Sequence, residues 1–83
     1  MNLDVNVARH ILLQLEANAR RVQVGPIAVP GCTPEDVSAQ VEILYRRGYI
    51  EAESVQGDNQ ATIWSALRLT DSGHRYLEHI RNP

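Results

Sequence analysis

The residue types that most often carry catalysis or hold metals are few in this chain and stand apart. Its histidines are His10, His74 and His79, and its single cysteine is Cys32. No pair has the HxxxH or CxxC spacing that would bring two ligands to one metal ion. No Ser/His/Asp arrangement, Gly-rich phosphate loop or paired carboxylate site stands out. We therefore expect no enzyme activity, no cofactor and no metal site.

Two of these residues lie next to predicted helix starts. Cys32 could be a reactive thiol in that position, but a buried or incidental cysteine is the favoured interpretation. His74 falls early in the last predicted helix, where a structural ring that bonds backbone or caps the hairpin is favoured over a functional one. A lone cysteine excludes an intramolecular disulfide and suits a reducing compartment.

Arginine supplies all eight basic residues, and the net charge is −2. An acidic balance gives no general attraction to phosphate, so nucleic-acid binding would need a local basic patch. The polar side chains that could form such a patch are Arg20, Arg21, Ser38, Gln40, Arg46 and Arg47. For the Arg20–Arg21 pair, charge at a helix C-terminus is favoured over phosphate contact.

The length and composition limit what positions these residues. Eighty-three residues, 43% of them hydrophobic, predict one domain over 1–83 with one small core. No apolar run approaches the ~20 residues of a membrane span. The chain opens with Asp4 where a signal peptide would be basic, so we expect a cytoplasmic protein.

Two helices are predicted in the first half. Asp4 should cap a helix to about residue 18, whose buried stripe is Val5, Ala8, Ile11, Leu12 and Leu15. Thr33 and Pro34 should start another, which runs to about Arg47 and is closed by Gly48. Its core residues are Val37, Val41 and Leu44. Between them, glycines and prolines in 22–33 forbid a continuous helix and leave extended pieces, one of which should pair with the later hairpin.

A hairpin and a last helix are predicted in the second half. Residues 49–55 alternate as a strand with Ile50 and Ala52 inward. The return strand, 62–69, should turn Ile63, Leu67 and Leu69 inward and Trp64, Ala66 and Arg68 outward. Thr70 should cap a helix with the apolar stripe Tyr76, Leu77 and Ile80, in which Gly73 is a weak point that close packing would explain. This order predicts an α+β fold: a winged helix-turn-helix with a degenerate second helix, a β-hairpin wing and a C-terminal helix.

Three segments also resemble a known family. The segment AVPGCTPEDVSAQVEILYRRGYIEA resembles its Gly-turn, acidic helix start and "xLLxxxGLIEA" pattern, and RLTDSGHRYLEHIRN resembles its closing "LTxxGHxFLxxIR" signature. The opening LDVNVARHILLQLE is similar to its first helix. The family is one of small phage and prophage proteins of unknown function with a winged-helix fold. Two departures are Asp71-Ser72, where the family has an aromatic after the Thr, and Gln40, where a His is common.

The leading functional hypothesis is a nucleic-acid-binding protein or transcriptional regulator. In the usual docking the helix at 34–47 enters the major groove and the hairpin tip touches backbone. Ser38 and Arg46 should lie on the exposed helix face, with Gln40 and Arg47 at its margin. Carboxylates interleave with them and line the wing, where they would repel phosphate: Glu35, Glu42, Glu51, Glu53 and Asp58.

The alternative is a module that binds a host or phage protein. Trp64, if outward on the hairpin, would be an anchor for a partner, flanked by Tyr45 and Tyr49. Packing of Trp64 on the C-terminal helix is the favoured interpretation. A chain of this length buries roughly 60–65% of its unfolded surface, so a homodimer suits the sequence as well as a monomer does.

Overall fold

Three helices and an antiparallel hairpin make up the fold in the computed structural model, which describes residues 3–17, 29–57 and 62–81. The elements are α1 (Val5–Ala17), α2 (Pro34–Arg46), β1 (Ile50–Gln56), β2 (Thr62–Leu69) and α3 (Asp71–Arg81). The α+β class and this element order are as predicted. The extended pieces expected before residue 29 lie outside the described residues. None of the helices in the described ranges is long and apolar enough to cross a membrane.

Helix α1 begins at its predicted cap. The Asp4 carboxylate accepts hydrogen bonds from the backbone N–H groups of Asn6 and Val7, at 2.9 and 3.3 Å. Val5 was expected in the buried stripe but is exposed, because the helix starts there and the first-turn residue that reaches the core is Val7. The rest of the stripe is buried as predicted: Ala8, Ile11, Leu12 and Leu15.

Both ends of α2 are also set by the predicted residues. The Thr33 hydroxyl accepts a hydrogen bond from the Asp36 N–H at 3.1 Å, and Pro34 is the first helical residue. Gly48 follows the helix with φ +80°, a left-handed conformation that glycine adopts without steric cost. This turn brings the chain directly into β1.

The hairpin contains a β-bulge that the sequence pattern did not reveal. Glu51 pairs with Arg68, but the next residue of β1, Ala52, pairs with Ala66. Leu67 is therefore an extra residue in β2 with no partner opposite it. An extra residue of this kind interrupts the alternation of side chains along a strand.

The bulge explains why most of the predicted faces of β2 were wrong. Trp64 and Ala66 were expected outward, but Ala66 is buried and Trp64 is half-buried against the core. Ile63 and Leu67 were expected inward, yet both are exposed. Strict alternation that starts from the inward-facing Leu69 assigns residues 63–66 to the wrong faces of the sheet, because Leu67 is an extra residue.

The start of α3 is pressed against the turn between α2 and β1. The Thr70 hydroxyl accepts a hydrogen bond from the Gly73 N–H at 3.1 Å and donates one to the Gly48 carbonyl. A Cβ at Gly73 would lie 1.8 Å from the backbone oxygen of Tyr49. Close packing is thus the reason for a glycine in this first helical turn, as predicted.

One core joins all five elements. Its largest fully buried side chains are Ile11, Leu12, Val41, Leu44, Ile50 and Leu77. The Tyr49 and Tyr76 rings stack on its margin, with centroids 4.2 Å apart and planes 5° from parallel. At the far end of α3, the Arg9 guanidinium donates to the Ile80 carbonyl at 3.0 Å, which ties α1 to α3. The hairpin is held on this core by one face and leaves the other to solvent.

Candidate functional site

Two of the six candidate nucleic-acid contacts are inside the fold. Ser38 and Gln40 are only 8% and 6% exposed. The Ser38 hydroxyl accepts a hydrogen bond from the Trp64 backbone N–H at 2.9 Å, and the Gln40 amide oxygen accepts one from the Asp4 N–H at 2.8 Å. The expected exposure of both was wrong, because α2 packs on the hairpin and on α1 at once. Its buried face is therefore wider than the apolar stripe suggested.

The arginines of α2 remain at the surface. The Arg46 guanidinium donates to the Glu42 carboxylate at 2.8 Å, four residues earlier on the helix. Arg47 is exposed and has no ion-pair partner within residues 3–17, 29–57 and 62–81. Arg20 and Arg21 lie outside the described residues. The outer face of α2 thus mixes two arginines with Glu42 and the acidic first turn.

Replacing Ser38 tests its structural role. Ser38→Ala leaves the Trp64 N–H without its acceptor, so we expect a loss of about 1–3 kcal/mol in the free energy of unfolding. The hydrogen exchange of the Trp64 amide should also speed up in the native state. Ser65→Ala, on the same strand, is the control. Equal stability and equal Trp64 exchange in the two variants would contradict the role given to Ser38.

The aromatic residues proposed as protein contacts lie only partly where they were expected: Tyr45 flanks Trp64, and Tyr49 does not. The half-buried Trp64 ring packs on Tyr45 of α2, with centroids 5.2 Å apart and planes tilted by 33°. The aromatic neighbour of Trp64 is therefore on α2 and not on the C-terminal helix. Tyr49 does not flank Trp64, since it stacks on Tyr76. Tyr45, which is 44% exposed, offers an aromatic surface beside Trp64.

The largest apolar exposure on the hairpin is instead on the side away from the helices. Val55 and Ile63 are directly paired across the two strands, and they are 53% and 46% exposed. Leu67, in the bulge, is exposed further along β2. We call the outward set the outer hairpin face: Glu51, Glu53, Val55, Ile63, Ser65 and Arg68. Sequence reasoning missed it because the inserted residue inverted the assignment of Ile63.

The charges on the outer hairpin face are unevenly matched. Arg68 forms an ion pair with Glu51 across the strands, and both side chains are exposed. Glu53 is paired with Ser65 and has no cation partner within the described part of the chain. An aliphatic pair therefore lies beside one carboxylate that is free to meet a cation.

The remaining candidate residues do not come together. Cys32 is half-buried at the margin of the core. His74 is exposed, and its ring makes no hydrogen bond in the described ranges; its expected structural role stays a prediction. Within those same ranges no three His, Cys, Asp or Glu residues form a group that could hold a metal ion.

A family model described as "Hypothetical protein (DUF2513)" matches residues 2–83. No curated protein and no solved structure matches. The family description names neither an activity nor a ligand. Because the match spans almost the whole chain, the protein belongs to this family of hypothetical proteins, DUF2513.

Proposed function

We propose that this protein is a non-catalytic protein-binding module with a winged-helix fold, and that the outer hairpin face is its binding surface. The order of α1, α2, hairpin and α3 supports the fold assignment. A degenerate helix-turn-helix, which the glycines and prolines of 22–33 suggest, and a phage or prophage origin, which the family resemblance implies, belong to the same proposal.

The observation that carries the proposal is the exposed Val55–Ile63 pair. Two β-branched side chains opposite each other stabilise a hairpin, but about half of the surface of these two side chains stays exposed to water. Apolar side chains rimmed by polar residues are characteristic of protein interfaces. Glu53 and the Glu51–Arg68 pair supply such a rim.

Nucleic-acid binding is the weaker candidate. Ser38 and Gln40 are held inside by their own hydrogen bonds and cannot reach base edges without breaking them. Glu42 would stay within reach of any phosphate that Arg46 contacts. Because phosphate contacts supply most non-specific affinity, a face with such carboxylates gives little attraction to DNA.

A capture experiment with matched variants tests the proposal. The double variant Val55→Thr/Ile63→Thr keeps β-branched residues in the strands but removes apolar surface. Leu13→Gln, at an exposed position of α1, is the control. From extracts of cells that carry the gene, we expect a protein to be retained by the wild type and by Leu13→Gln and lost by the double variant. Equal retention by all three would overturn the assignment of this face.

A DNA titration tests the alternative function, nucleic-acid binding. With mixed double-stranded DNA at low salt, we expect the amide resonances of α2 and the hairpin to stay unchanged. Saturable shifts across 33–47 that fade as salt rises would instead support nucleic-acid binding and reject the protein-binding proposal.

A further inference from the structure

One edge of the two-stranded sheet is closed by a helix. The Trp64 N–H of β2 donates to the Ser38 hydroxyl on α2, so this amide points away from β1. At that position, α2 takes the place that a third strand would occupy beside β2. A covered edge cannot pair with another chain.

The direction of the Trp64 N–H also shows which backbone groups of β1 point away from β2. In an antiparallel pair, residues that bond across the ladder alternate with residues whose N–H and C=O point outward. Trp64 is paired with Ser54, so the N–H and C=O of Ser54 point to the open side of β1. Ala52 and Gln56, two residues away in either direction, share this orientation. A second hydrogen bond agrees with this orientation. The Thr70 N–H donates to the Tyr49 carbonyl at 3.1 Å, so the odd-numbered residues of β1 are the ones that bond to β2.

This edge of β1 is uncovered within the part of the chain that the structure describes. The amides of Ala52, Ser54 and Gln56 make no backbone hydrogen bond outside the hairpin there. The four residues 53–56 are all exposed, so both faces of the strand reach solvent at this end. No proline or bulge interrupts β1, since the bulge residue is on β2. The strand β1 is therefore regular, and another strand can pair with its open edge.

The charges on β1 decide what kind of strand fits. A second copy paired antiparallel about Ala52 or Glu53 would place carboxylates opposite one another, which is destabilising. Parallel in-register pairing would do the same. A copy paired antiparallel about Ser54 would place each Glu53 opposite Val55 and leave the carboxylate without a cation. Glu53 instead favours a basic residue opposite it, and Val55, two positions on, favours an aliphatic one. Ala52 and Ser54 face the other side of the strand, and their short side chains are compatible with small or polar residues opposite them.

We infer that the open edge of β1 binds an extended segment of a partner protein as a third strand. The segment carries a Lys or Arg and an aliphatic residue two positions apart, which face Glu53 and Val55. This inference rests on the proposed protein-binding function and specifies its mode and the chemistry of its partner. Main-chain hydrogen bonds supply affinity in this mode, and the alternate side chains supply selectivity.

A synthetic peptide tests the inference directly. The probe is a capped seven-residue peptide, the length of β1, with Lys and Val two positions apart on one face and Thr and Ser on the other. At low salt we expect it to slow hydrogen exchange at Ala52, Ser54 and Gln56. A peptide with Glu in place of Lys should bind at least about tenfold more weakly. Methylation of the backbone nitrogens that face β1 should weaken binding as much, since those donors are lost.

Two protein variants complete the experiment. Ser54→Pro removes a donor from the open edge but no bond of the hairpin ladder, so we expect a folded protein that no longer binds the peptide. Glu53→Gln should bind it up to about fivefold more weakly, the value of one exposed ion pair. If Ser54→Pro unfolds, the methylated peptide gives the equivalent measurement.

Several results would overturn strand addition. They are no binding of the Lys peptide at low salt, equal binding of its methylated form, or protection of the same amides in the protein alone, either by self-association or by an extended piece of 22–33. None of these alters the capture experiment. A partner that is still lost on Val55→Thr/Ile63→Thr would keep the proposed function and reject only this mode of binding.

Discussion

Gly73→Ala is expected to lower the free energy of unfolding by about 3 kcal/mol or more, the upper end of the usual cost of overpacking. The added methyl would lie 1.8 Å from the Tyr49 backbone oxygen, and backbone cannot rotate away as a side chain can. Relief requires α3 to move off the turn that follows α2. A domain of this size has only about 4–12 kcal/mol of stability in total, so a large part of it would be lost.

The measurement is urea unfolding followed by circular dichroism. Ser72→Ala, the preceding and exposed position of α3, is the matched control and should change stability by less than about 0.5 kcal/mol. At a helix position with free space around it, Gly→Ala would be stabilising, because alanine has the higher helix propensity. A gain in stability for Gly73→Ala would therefore contradict the close contact with Tyr49.

Leu77→Ala is expected to cost about 2–5 kcal/mol, the range for a leucine truncated in a well-packed core. Leu77 is fully buried and is the central apolar residue of α3. Its loss leaves a cavity where α3 meets the rest of the core. The same unfolding measurement applies, with the midpoint as the readout.

Leu67→Ala is the matched control, since it removes the same atoms from the bulge. Leu67 is exposed, and the change should cost less than about 1 kcal/mol. The comparison also tests the phase of β2. If Leu67→Ala were as costly as Leu77→Ala, Leu67 would face the core, as simple alternation from Leu69 suggests.

Much of the fold follows from local signals. Thr33 with Pro34, Gly48 and Thr70 mark element ends through backbone hydrogen bonds and φ angles, which depend on neighbours a few residues away. These positions were predicted correctly. The phase of β2 was not, because the bulge at Leu67 arises from pairing with β1 and leaves no residue-type signature in this strand.

The candidate surface was harder to predict than the fold. Ser38 and Gln40 are polar residues on a helix with an apparent single apolar stripe, so helical periodicity places Ser38 on the exposed face and Gln40 at its margin. Their burial depends on two partners far along the chain, the Trp64 and Asp4 backbone amides. Tertiary hydrogen bonds of this kind cannot be read from helical periodicity.

The Thr70 hydroxyl has a consequence for the order in which the chain folds. Its acceptor, the Gly48 carbonyl, is 22 residues upstream, and the two meet only when the hairpin has closed. The 11 residues of α3 are too few to form a stable helix alone in water. The contacts of Thr70 with Gly48 and of Gly73 with Tyr49 therefore form only with the hairpin, and we expect α3 to be a late element that is stabilised after a non-local loop closure.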